Sequence, residues 1–367
     1  MKILLLRLRL IGDVVFTTPA IRAIRRALPD ATLTYLVERA AAPVVAHNPH
    51  LDELLVVDHR RGLDRVRDDL RLAARVRRAR YDVVVDFHGG PRTSWLARAS
   101  GAPRRIGYDI PGRAWLYTDV VARPRQLRAR HSVENQWDLL AAIHPSLSAP
   151  PDPARDAVQM EEDAAAAARV SARLDQAGVT AATPLIVLHV SAGNPFRRWT
   201  PDAFVDTVAA LSSADSNRRI ILTSGPSEPD AAARIGDLAR ARIGPASRAL
   251  VTVPEPDLAE LRALVARAAL FIGGDSGPLH VAATTATPIV GVFGPTLAAR
   301  SAPWRDPQLV TVSIEPGPLE CRPCDQRHCA PGDFRCLTGL DAARVVGAAE
   351  RALAARAGRL GPLQSRV

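Results

Sequence analysis

Nowhere does this sequence hold the roughly 18 to 20 uninterrupted apolar residues that a membrane-spanning helix needs. Its short apolar run at residues 3–6 is broken by Arg7 and Arg9 before a signal-peptide core of adequate length can form, so a cytoplasmic location is expected. Aromatic residues are scarce, at 4% of the chain, too few for the interleaved stacking surface of a single-strand nucleic-acid binder. Nucleic acid is therefore not an expected partner. Lysine is nearly missing: Lys2 is the only one, so the positive charge rests on arginine, whose planar fork suits phosphate but which coding bias would also produce. No G-x-G-x-x-G or P-loop sequence follows the first strand-like run, which argues against a dinucleotide oxidoreductase or a P-loop kinase. Cysteine is absent outside residues 321–336.

What is present is ordinary globular material. With 47% hydrophobic and 23% charged residues over 367 positions, the chain can bury two cores of typical domain size. The formal charge is +10 and uneven: residues 1–150 carry 25 Arg/Lys against 15 Asp/Glu, whereas residues 151–367 carry 23 against 23. A one-sided basic field implies an anionic partner, either a phosphorylated substrate or an anionic membrane surface touched peripherally, nucleic acid being set aside above.

Apolar runs suited to buried strands, at residues 2–7, 32–37, 54–57 and 82–86, alternate with helical patterns such as 19–28 and 63–78. The rhythm restarts after Pro184, with strands expected at 185–190, 219–224, 249–253, 270–273 and 289–293 and helices at 203–211, 230–240, 258–268 and 279–286. Two parallel-sheet α/β units follow. A proline-rich stretch at 144–153 and an alanine-rich helical run at 161–174 separate them, so the units are assigned to residues 1–155 and 156–340. A final helix at 341–357, in the tail 341–367, is expected to pack back across the boundary. Open parallel sheets bind ligands beyond the carboxyl ends of their strands, which places the functional site in a cleft between the two units.

The stretch Phe271-Ile-Gly-Gly-Asp-Ser-Gly-Pro-Leu-His280 ends a strand on glycines and opens a helix at Pro278, a residue favoured in a first helical turn. Free amides there attract phosphate, and Gly277 removes a side chain that would hold a diphosphate away. Asp275 or Ser276 caps this helix, binds a ligand, or does both. His280, about one turn in, is a buried structural histidine or a ligand contact. A second anion site is suggested by His189-Val-Ser-Ala-Gly-Asn-Pro-Phe-Arg-Arg-Trp199: Arg197 can grip a diphosphate bidentately, while Ser191 and the backbone near Gly193 donate hydrogen bonds. Arg197 and Asp275 are both expected at exposed loop positions. Glu228, after the strand-like run 219–224, accepts from a ribose diol or complements a helix dipole.

In the first unit Asp13 lies where strand gives way to helix, so it serves either as general base toward an acceptor hydroxyl or as a helix cap. Arg60 and Arg61, with the strand-ending segment Asp86-Phe-His-Gly-Gly-Pro-Arg92, offer cations to an anionic acceptor, and Arg92 is the candidate from that segment. The cluster Cys321-x2-Cys324-x4-Cys329-x6-Cys336 has the donor set of a structural zinc site, although its short loops suit reduced packing or redox-sensitive thiols as well. None of these cysteines is expected to hold a catalytic metal.

Taken together, Ile11-Gly-Asp13 with Thr18-Pro-Ala-Ile-Arg22, the loop ending Arg197-Arg-Trp199, Asp275-Ser-Gly-Pro-Leu-His280, Phe293-Gly-Pro-Thr296 and the cysteine cluster resemble the ADP-heptose:lipopolysaccharide heptosyltransferases, glycosyltransferase family nine. The match runs in order over nearly the whole chain. It implies a GT-B fold of two Rossmann-like parallel-sheet domains facing a central cleft, the first binding acceptor and the second the ADP-sugar donor. It implies an inverting single displacement without cofactor or catalytic metal, moving a heptose onto the phosphorylated lipid A–inner core glycolipid. By the same resemblance Asp13 is the base, and Ser191, Arg197, Glu228, Asp275, Ser276, Gly277 and His280 contact the nucleotide. The family commonly has lysine where Arg197 stands. Two other readings keep the architecture: another nucleotide sugar and surface glycan, or a non-catalytic relative that binds nucleotide or glycolipid.

Overall fold

A computed structural model describes residues 1–58, 60, 62–123 and 129–356. They divide into two compact units, Met1–Glu161 and Glu162–Val367, a junction a few residues beyond the expected 155/156. No helix among the described residues is long and apolar enough to cross a membrane.

In the first unit β1 (Lys2–Leu6), β2 (Thr32–Glu38), β3 (Glu53–Val57), β4 (Val83–Asp86), β5 (Arg104–Tyr108) and β6 (Asp119–Val121) form one parallel sheet in the order β3-β2-β1-β4-β5-β6. Its helices are α1 (Ile11–Val15), α2 (Thr18–Ala27), α3 (Gly62–Ala79), α4 (Pro91–Ala99) and α5 (Ser132–Trp137). Ile3 to Leu6 are all fully buried, as a central parallel strand covered on both faces demands. Sequence pattern did not disclose β5 and β6. Both are short, and β5 opens on Arg104 and Arg105, whose guanidiniums turn back to backbone carbonyls of Ile143 and Leu116.

The second unit begins with α6 (Ala164–Gln176) and runs through β7 (Leu185–His189), α7 (Pro201–Ala214), β8 (Arg219–Thr223), α8 (Ala231–Ile243), α9 (Leu258–Arg267), β9 (Leu270–Gly274), α10 (Gly277–Ala282), β10 (Ile289–Val292), α11 (Ala298–Ser301), β11 (Thr311–Ile314), α12 (Arg335–Thr338) and α13 (Ala342–Arg356). Its sheet is parallel in the order β11-β10-β9-β7-β8. The strand expected at 249–253 is reduced to one bridge between Ile220 and Leu250, because Pro254 and Pro256 follow at once and cannot donate to a ladder. The expected return of the last helix across the boundary gives way to packing at home. Val345, Ala348, Ala349 and Ala352 make one buried stripe of α13, which packs against α7, β9, β10 and β11.

The strand orders fix where each unit can work. In the first sheet the connections run outward from β1 in one direction and from β4 in the other; in the second the reversal lies between β7 and β9. A doubly wound sheet splays its loops apart at such a reversal and leaves a crevice beyond the strand ends. Asp13 and His88 follow β1 and β4, whereas Arg197 and Asp275 follow β7 and β9.

Candidate functional site

At the first unit's crevice, Asp13 stands in the first turn of α1 but makes no cap: the cap position is Leu10, without a side-chain hydrogen bond. Its carboxylate instead forms an ion pair with Arg7 Nη2 and stays about a quarter exposed, at 27%. Arg7 is held in turn, donating from Nη1 to the Phe87 carbonyl at 2.6 Å, and Gln136 Nε2 donates to the Asp13 carbonyl at 3.4 Å. Beneath them lies Asp86, fully buried, which accepts from the His88 and Gly89 amides at 2.9 Å each and from the Tyr117 hydroxyl at 2.7 Å. Burial raises the Asp86 carboxyl despite those donors. Its role is to anchor the 87–90 turn.

That turn carries His88. Burial first, and the charge of Arg7 second, push its imidazole down to about 4, so it is neutral at pH 7 rather than one of the cations expected of this segment. A Cβ on Gly90 would fall 2.5 Å from His88 Cδ2, so only glycine lets the ring lie there undisturbed. Among the described residues Arg7 Nε, His88 Nδ1 and Gln136 Oε1 are buried without a hydrogen-bond partner.

The three arginines assigned to an acceptor fare differently. Arg92 is only 12% exposed and is spent on Asp69 at 2.7 Å and Glu38 at 3.3 Å, so it braces the unit's interior instead of meeting a ligand. Arg60 is exposed and lies 3.3 Å from Asp68. Arg61, like its neighbour His59, lies outside the described residues.

At the second unit's crevice the two suspected anion loops meet. Arg197 Nη1 lies 3.1 Å from both Asp275 Oδ2 and the Asp275 carbonyl, and Arg197 Nε donates to Gln326 Oε1 at 2.7 Å. Among the described residues Nη2 has no partner, so one end of the fork is held and the other is free. A Cβ on Gly274 would lie 3.3 Å from the Arg197 carbonyl, which shows how closely the loops approach. Asp275 is not at an exposed position after all: it is 2% exposed, while Arg197 is 31% exposed. Burial alone would raise the Asp275 carboxyl, but hydrogen bonding from His280 and the charges of Arg197 and His280 outweigh it and bring it to about 2. His280 Nε2 lies 3.5 Å from Asp275 Oδ1. Ser276 holds the cap position of α10 without a cap bond, and its buried Oγ has no partner among the described residues; Gly277 is the first residue of that helix.

Ser191 is buried and its Oγ meets His189 Nε2 at 3.2 Å, while His189 Nδ1 meets Thr223 Oγ1 at 3.0 Å; burial pushes His189 down to about 4. Gly193 is exposed, with nothing near the position of an added Cβ. Glu228 is neither a helix cap nor free: it takes Arg198 at 2.8 Å and the Ala192 amide at 3.4 Å, pinning the 191–198 loop. It also borders a cavity of about 320 Å³ shared with Arg198, Trp199, Arg234 and Phe334.

The four cysteines are free thiols, three half-buried and Cys336 buried. Burial, then the charges of the other three, push Cys336 up to about 11. Among the described residues no group of three or more His, Cys, Asp or Glu side chains is disposed to hold a metal ion. Sequence reasoning passed over Arg7, His88, Gln136 and Gln326 as site residues. Arg7 ends a strand, His88 sits in a glycine-rich turn whose only named candidate was Arg92, and nothing periodic marks either glutamine.

Residues 70–332 match glycosyltransferase family 9 (heptosyltransferase). Lipopolysaccharide heptosyltransferase 3 of Escherichia coli is 28% identical over 305 residues, covering 81% of this chain and 84% of that protein. Among solved structures, the glycosyl transferase family 9 protein of Veillonella parvula superposes with a TM-score of 0.76 at 22% identity, covering 96% of this chain and 97% of its own. E. coli heptosyltransferase WaaC with ADP superposes at 0.68 and 21% identity, covering 96% of this chain and all of that one, at 100%. The two parallel-sheet units are thus of the GT-B type.

Proposed function

This chain belongs to glycosyltransferase family 9, and on that premise we propose that it moves a heptose from ADP-heptose to the inner core of a lipopolysaccharide acceptor. The acceptor hydroxyl attacks the anomeric carbon, the bond from that carbon to the diphosphate breaks with inversion, and ADP leaves. Asp13, uncapped and partly exposed, takes the hydroxyl proton. Arg7 orients that carboxylate. In the second unit the free end of Arg197 grips the departing diphosphate, whose developing charge a fixed guanidinium stabilises most when it is already in place. Ser191, Ser276, Gly277 and the backbone near Gly193 complete that cradle, and Glu228 borders the nucleoside cavity.

One observation carries the reading: Arg197 and Asp275 come together at the reversal between β7 and β9, where a doubly wound sheet takes a nucleotide. The enzyme works in the cytoplasm and touches the inner membrane leaflet through its basic first 150 residues. Incubation with ADP-heptose and a panel of truncated lipopolysaccharide cores, read by product mass, tests the assignment. Transfer to one core fixes donor and acceptor together. Turnover only with other nucleotide sugars would replace the donor, and binding without any turnover would replace the enzyme by a binding protein.

A further inference from the structure

We propose that the cysteine-rich segment is a working part of the donor site, with Gln326 as the residue that positions Arg197. The inference rests on the reading of Arg197 as the diphosphate grip. Gln326 lies between Cys324 and Cys329, far along the chain from the 194–197 turn, yet its single Oε1 accepts two hydrogen bonds from that turn: Arg197 Nε at 2.7 Å and Asn194 Nδ2 at 3.0 Å. Asn194 is itself the cap of the turn, its Oδ1 accepting from the Phe196 amide at 3.0 Å. One oxygen thus ties the start of the turn to the guanidinium at its end.

The segment touches the turn a second time through Phe334, whose ring centroid lies 5.3 Å from that of Phe196. The backbone marks the same two residues. Only three non-glycine residues among those described have positive φ, namely Arg80, Gln326 at +58° and Phe334 at +51°. A left-handed conformation in a residue with a Cβ persists where surrounding contacts over-determine it, and such residues gather at functional sites. Here both strained positions of the segment face the turn that carries Arg197.

The consequence is geometric. An arginine on an exposed loop samples many rotamers, and binding a diphosphate must then immobilise it. With Nε on Gln326 and Nη1 on Asp275, the guanidinium plane is set before the ligand arrives, and the Nη2 donors are left over. Gln326 touches no reacting atom; it acts through Arg197.

The test uses the full chain with ADP and adenosine as probes, by titration calorimetry, on wild type, Gln326→Met, Arg197→Ala and the double variant, with melting curves for each. Gln326→Met keeps length and volume but removes the acceptor. We expect it to weaken ADP binding about tenfold, as loss of one charge-assisted hydrogen bond does, while adenosine binding and melting temperature stay as in wild type. In the Arg197→Ala background the same change should cost nothing further. Equal weakening of ADP and adenosine, a full additional loss in the Arg197→Ala background, or unchanged ADP binding in Gln326→Met would each overturn the inference while leaving Arg197 in the donor site. Normal ADP affinity in Arg197→Ala would remove both it and the donor-site reading beneath it.

Discussion

Replacing Asp275 by asparagine keeps its size and removes its charge, and the structure sets the expected cost. The carboxyl is almost wholly buried and is brought from 3.8 to about 2, burial being outweighed by the hydrogen bond from His280 and the charges of Arg197 and His280. That depression corresponds to about 2 kcal/mol of preference for the carboxylate in the folded chain. The sign follows from the direction. A carboxyl whose folded value lies below its unfolded value stabilises fully above the unfolded value, near pH 4, and loses that contribution as pH falls toward 2. Urea unfolding of wild type and Asp275→Asn between pH 6 and pH 2.5 should therefore show a gap of about 2 kcal/mol at pH 5 to 6, narrowing steadily below pH 4. ADP affinity should fall in parallel at pH 7, because Arg197 loses its fixed partner. A gap that does not change with pH would mean that packing, not charge, holds the residue in place. No gap at any pH would refute the electrostatic account altogether.

Asp13→Asn should lower turnover at least about a hundredfold, as removal of a general base does, with ADP affinity nearly unchanged; full activity would take Asp13 out of the mechanism. Arg92→Ala should cost about 3 kcal/mol in chemical denaturation, since it removes the partly buried guanidinium that pairs with both Glu38 and Asp69. Its acceptor KM should not move, and a raised KM in a stable variant would return Arg92 to the acceptor site. Association with anionic vesicles, followed by sedimentation, should be lost as salt rises from low ionic strength to about 0.5 M; attachment indifferent to salt would contradict the basic-surface account.

How much of this could be read from the sequence depended on the range of the interaction. The central strands β1, β2, β7 and β9 were legible because each is a short apolar run buried on both faces. The outlying β5, β6 and β11 were not, since partly exposed strands mix polar residues into the pattern. Two prolines just beyond 249–253 were underweighted there. Loop chemistry was legible as type but not as partnership. Arg92 is a plausible ligand cation until Glu38 and Asp69, 54 and 23 residues away, are found already holding it. Glu228 and Arg198 were each noticed without any sign that they pair. His88 shows the limit from the other side: nothing in the sequence singled it out, and only its burial beside Arg7 and Asp13 places it at the site.

The use of arginine rather than lysine at position 197 is best understood through the same partnerships. A lysine ammonium has three donors around one nitrogen and no fixed plane, so holding it tightly consumes the group that must meet the ligand. Arg197 separates the two tasks. Its Nε and Nη1 are occupied by Gln326 and Asp275, which sit on different segments and approach from different directions, and Nη2 is left over. The anchoring carboxylate is buried and therefore fixed in place, while the guanidinium it holds is nearly a third exposed and therefore still able to attract an anion. Because Asp275 is spent on Arg197 and His280, its negative charge is directed into the fold rather than toward an incoming diphosphate. Arginine thus does more than supply charge: it presents an oriented fork in place of a point charge, and that orientation depends on a segment that carries every cysteine of the chain.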